Sequence, residues 1–75
     1  MKTLLKYTNK WRDKFLSLVE TDNNEFNIIL TRIPQTNDFC LCSMDIEHKQ
    51  NAFNLFNDYR KGHKLTILEV DEVKR

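Results

Sequence analysis

Seventy-five residues give room for one domain, spanning residues 1–75, with a thin stability margin. With a net charge of +1, one Gly, one Pro and two Cys, the composition excludes a disulfide scaffold, a low-complexity chain and a glycine-built phosphate loop. No apolar run approaches the ~18 residues of a bilayer span. Met1–Lys2–Thr3 leads into a charged stretch rather than a signal peptide's apolar one, so the expectation is a cytoplasmic protein without membrane contact.

Charge is unevenly spread. Residues 1–14 hold Lys2, Lys6, Lys10, Arg12 and Lys14 against Asp13 alone, a net of +4. Residues 15–59 hold Arg32 and Lys49 against Glu20, Asp22, Glu25, Asp38, Asp45, Glu47 and Asp58, a net of −5. Such polarity predicts one basic and one acidic surface. Eight Asn and eight Lys beside a single Ala also match the usage of an AT-rich genome, as in a low-GC bacterium, a phage or another mobile element.

In chain order, Leu4, Tyr7, Thr8, Trp11, Phe15, Leu18 and Val19 recur at spacings of three and four. That period predicts an amphipathic helix over residues 3–20, capped by the Thr3 hydroxyl, with Lys6, Lys10, Asp13 and Ser17 on its far side. The alternative is a strand over Lys14–Glu20, paired with the next across Thr21–Asn24. Helix is preferred because strand alternation would put Asp13 and Ser17 on the aromatic face. As a strand, the segment would add a member to the sheet and break up the basic stripe.

Glu20–Asn24 reads as a polar turn, Phe26–Ile33 as a central apolar strand and Pro34–Asp38 as a loop. Phe39–Met44 reads as a second apolar strand, closing an antiparallel hairpin. Asp45 is placed to cap a second helix, with Ile46, Lys49, Ala52, Phe53, Phe56 and Tyr59 on its inner face. Arg60 and Lys61 complement its dipole, and Gly62 stands where a left-handed C′ residue belongs. Lys64–Val70 is the last strand and Glu72–Arg75 a charged tail. The expected fold is α+β, α-β-β-α-β, with a three-stranded antiparallel sheet in order 2-1-3 and two helices on one face.

No catalytic constellation assembles. His48 and His63 stand about 20 Å apart along the second helix, too far to share a site. Cys40 and Cys42 lie two apart on a strand, pointing the same way, which suits a disulfide badly. Neither histidine has the spacing to complete a zinc site with them, so they read as small buried apolar residues. Phe53, Phe56 and Tyr59 read as a core face, with Leu55 off it and partly exposed. A non-enzymatic protein with no cofactor and no metal is expected.

Two surfaces remain. Lys2, Lys6, Lys10, Arg12 and Lys14 form a basic stripe on the first helix, suited to a phosphate backbone. Glu20, Asp22, Glu25, Asp38, Asp45 and Glu47 form an acidic one, suited to a basic cleft on another protein, in the manner of a DNA mimic. The acidic surface ranks first. The expectation is a small protein-protein interaction module, an inhibitor or adaptor acting on a larger host protein. Nucleic-acid binding is the alternative, and a homodimer is compatible with either.

Overall fold

The computed structural model describes residues 1–33 and 37–71. Five strands and one helix follow in the order β1 (Lys2–Thr8), β2 (Lys14–Glu20), β3 (Glu25–Arg32), β4 (Asn37–Asp45), α1 (Lys49–Gly62) and β5 (Ile67–Asp71). A short 3-10 turn, Ile46–His48, leads into α1. The strands form one antiparallel sheet in the order β4-β3-β2-β1-β5. The first helix of the α-β-β-α-β expectation is therefore a β-hairpin, and the sheet has five strands rather than three. The final strand lies beside β1, not beside β3.

The reason is local. Residues 3–19 satisfy both a helical and an alternating period, and the sheet uses the second. Leu5 and Tyr7 of β1 pair with Leu18 and Leu16 of β2, so all four point to one face. Leu16 and Leu18 pair in turn with Leu30 and Ile28 of β3. A helix would have put Trp11 among these residues, whereas the hairpin carries it out at the turn, 71% exposed. Lys14–Glu20 is the strand that the alternative reading allowed.

The helix α1 packs across this apolar face. Ala52 and Phe56 are buried against Leu16, Leu18, Phe26, Ile28, Leu30 and Leu65, and Phe53, Leu55 and Tyr59 pack around them. Tyr7 closes the flank, its ring 6.0 Å from that of Phe56, with the Arg60 guanidinium 4.4 Å above it. Burying a side chain of this size contributes about 1.5–3 kcal/mol, so this single layer dominates the stability. Among the described residues, no helix covers the opposite face of the sheet. That face presents Lys6, Phe15, Ser17, Asn27, Ile29 and Ser43, which alternate with the core residues.

Three local expectations change. Asp45 makes no side-chain capping bond, because the 3-10 turn separates it from α1. Gly62 is the last helical residue, and the left-handed position falls to Lys64, with φ of 60°. Leu65 N–H donates to the Arg60 carbonyl and Lys64 N–H to that of Lys61, a Schellman closure centred on Lys64. Leu65 is the first apolar residue beyond the helix and is fully buried, so its reach to the core sets where the helix ends. Lastly, β4 has an irregularity at Leu41: Cys42 pairs with Ile28, but Cys40 pairs with Ile29. The two cysteines therefore face opposite sides, Cys42 packed on the core and Cys40 exposed, and both are free thiols. The Pro34 loop and the Glu72–Arg75 tail lie outside the described residues. No helix among the described residues is long and apolar enough to cross a membrane.

Candidate functional site

Strand pairing sorts the charges to the two ends of the sheet. Glu20 is opposite Lys2 and Phe26, and Glu25 is opposite Asp45, so these residues share one end. The β2–β3 turn there is held by Asn24 N–H to the Thr21 carbonyl and Thr21 N–H to the Glu25 carbonyl. Asn23 N–H adds a bond to the Thr21 hydroxyl. Ile46 N–H donates to the Asn24 carbonyl, which docks the segment after β4 onto this turn. Glu20, Asp22, Glu25, Asp45 and Glu47 thus converge from two separate stretches of sequence. Asp38 does not join them: it pairs with Thr31 at the far end of β4 and accepts a bond from the Thr31 hydroxyl.

Cations only partly offset this acidic end. The N-terminal amine reaches Asp22 at 3.2 Å, but both groups are largely in water, where such a pair contributes little. Glu25 and Asp45 are like charges directly opposite each other, an arrangement that disfavours the sheet. Neither has a cationic partner among the described residues. Asp45, Glu47 and His48 also bring ligand atoms within 4.8 Å of one another, all three residues exposed. The spacing of the sequence gave no sign of that grouping, because the 3-10 turn creates it.

The other end holds the β1–β2 turn. Lys14 lies opposite Arg32, and Ile33 N–H donates to the Asp13 carbonyl beside it. Thr8, fully buried, donates through its hydroxyl to the Lys14 carbonyl at 2.8 Å. Arg12 N–H closes the turn on the Asn9 carbonyl, and Asn9 and Asp13 exchange two further bonds. Arg12 has φ of 56°, a left-handed conformation that costs a residue with a side chain about 1–2 kcal/mol. Its guanidinium is tied to Glu69 of β5 at 2.6 Å. Trp11 projects from this turn with the Lys10 ammonium 4.8 Å from its ring centroid.

The basic stripe expected on the N-terminal helix is accordingly dispersed. Lys2 stands at the acidic end and Lys6 on the open sheet face, 5.1 Å from the Phe15 ring centroid. Lys10, Arg12 and Lys14 gather at the β1–β2 turn, where Arg32 joins them. Sequence reasoning passed over Arg32 because it stands in an acidic segment, and over Trp11 because the helical period assigned it to the core. On the outer side of α1 a shallow depression is lined by Lys49, Gln50, Phe53, Asn54 and Asn57. His48 and His63 flank α1 at its two ends. No family model, no curated protein and no solved structure matches the chain.

Proposed function

We propose that the protein is a non-catalytic interaction module that docks its acidic end onto a basic groove of a larger protein. The observation that carries this reading is the convergence of Glu20, Asp22 and Glu25 with Asp45 and Glu47, fixed by the Ile46–Asn24 backbone bond. The Glu25–Asp45 juxtaposition works against folding and gains a purpose when a cationic surface covers it. Small size and AT-rich residue usage suit an accessory protein of a phage or mobile element, acting as an inhibitor or adaptor on a host protein that handles nucleic acid.

The test is affinity capture from a host lysate with three baits: the wild type, a Glu20, Asp22 and Glu25→Lys triple variant, and Asp38→Lys. One dominant basic partner should be retained by the wild type and by Asp38→Lys, and lost by the triple variant. Retention should also weaken as salt rises. A partner held equally by all three baits removes the acidic end from consideration.

A further inference from the structure

We propose that the β1–β2 tip is a stacking site for single-stranded nucleic acid, with Trp11 as the platform and Lys14 and Arg32 as the phosphate contacts. Trp11 is 71% exposed, and the Lys10 ammonium covers one side of its ring. The cation orients the indole and leaves the other side open to a base, which stacks on an aromatic ring whatever its sequence. The turn beneath is stiff: Asn9 and Asp13 bind each other, and Arg12 is anchored to Glu69. The platform is therefore presented ready-made, with little ordering left to do on binding.

The cations stand next to it. Lys14 and Arg32 are directly opposite across β2 and β3, close enough to repel each other, and neither has a carboxylate partner among the described residues. A phosphate lying between them removes that repulsion and takes up donors from both. Of the acids at this end, Asp13 is bonded to Asn9, Asp38 to Thr31 and Glu69 to Arg12. A second lysine–aromatic couple, Lys6 on Phe15, lies on the same hairpin but on the open face of the sheet, whereas Lys14 and Arg32 alternate with the helix side, in step with Leu16 and Leu30, so it stands apart from this site. A duplex hides its base faces, so an aromatic on a protruding turn selects unpaired bases. An anionic membrane is the poorer fit: among the described residues Trp11 is the one large apolar side chain on the β1–β2 turn itself, and Arg12 is held in an ion pair.

Trp11 is the single tryptophan, so its emission reports the site directly. The full chain is titrated with an oligothymidylate, the matching duplex, inorganic polyphosphate and phosphatidylglycerol vesicles. The oligothymidylate should quench Trp11, with affinity that falls as salt rises. By anisotropy of a labelled oligothymidylate, Trp11→Leu should weaken binding by about five- to a hundred-fold. Lys14→Gln and Arg32→Gln should each make the salt dependence shallower, and Lys6→Gln, on the other face of the sheet, should leave it unchanged. Far-ultraviolet circular dichroism verifies that each variant is folded. The proposal is overturned if the oligothymidylate leaves the emission unchanged, if polyphosphate or duplex acts equally, or if only the vesicles shift the emission to the blue.

Discussion

The two hairpin connections at opposite ends of the sheet, five and four residues long, contain the same four-residue turn and differ in what it is made of. In each, the fourth residue donates its N–H to the carbonyl of the first and adopts a left-handed conformation: Asn9 to Arg12 in one, Thr21 to Asn24 in the other. Thr21-Asp22-Asn23-Asn24 is turn chemistry throughout, and Asn tolerates positive φ. Asn9-Lys10-Trp11-Arg12 fits the same path with an indole at its crest and an arginine at the strained position. One turn is built from residues that favour it. The other is imposed by its surroundings, and strain of that kind collects where a side chain is being presented.

Six substitutions break or sharpen this contrast. The largest effect removes the support common to both turns: Phe56→Ala leaves a cavity under β1, β2 and β3 and should cost about 3–5 kcal/mol in urea unfolding. Amide exchange should then quicken at both ends together, and protection kept at one end alone would mean that the ends open independently. Next, Arg12→Gly should raise stability by about 1 kcal/mol, since relief of the left-handed strain exceeds the exposed Glu69 ion pair. Asn24→Gly should gain only roughly a few tenths of a kcal/mol, and equal gains would erase the contrast.

Lys64→Gly applies the same logic at the end of α1 and should stabilise by somewhat under about 1 kcal/mol. Gly62→Ala should add about 0.5–1 kcal/mol, because that residue is helical and an added Cβ meets nothing within 4 Å. The smallest change is Glu25→Gln, which removes the repulsion from Asp45. It should raise the unfolding midpoint by the equivalent of roughly 0.2–0.5 kcal/mol at low salt and have no effect at high salt. An unchanged midpoint at low salt would show that the two carboxylates do not oppose each other.

Much of the chain beyond the β2–β3 turn is legible from sequence. Ile28, Ile29 and Leu30 run too apolar for an edge strand, and β3 is an inner strand, although the centre of the sheet falls to β2; Ala52, Phe53 and Phe56 repeat at a helical spacing. The stretch before that turn misleads for a physical reason. Leu4 and Leu5 are consecutive, both buried where β1 shifts register, and that doubling converts an alternating pattern into one that resembles a helix. Lys10-Trp11-Arg12 gives no turn signal at all. The same masking hid the basic tip, because its cations come from two strands and its aromatic residue was assigned to an interior. The acidic end was easier to see because Asp22, Asn23 and Asn24 announce their turn, yet nothing local could tell that Asp38 lies apart from it.

The position of β5 also separates near from distant pairings in the sheet. Strands β1 to β4 follow one another as neighbours, so four-fifths of the sheet can zip up from short loops. The pairing of Thr8 with Ile67 joins residues roughly 60 apart, and its entropic toll comes due only once α1 is seated. Loop closure therefore predicts that this five-residue strand pairs after β1 to β4 have joined, which faster amide exchange in β5 than in β2 would check. Glu69 belongs to β5. While β5 is paired with β1, Glu69 holds Arg12, so the last strand of the chain buttresses the tryptophan-bearing turn formed near its start.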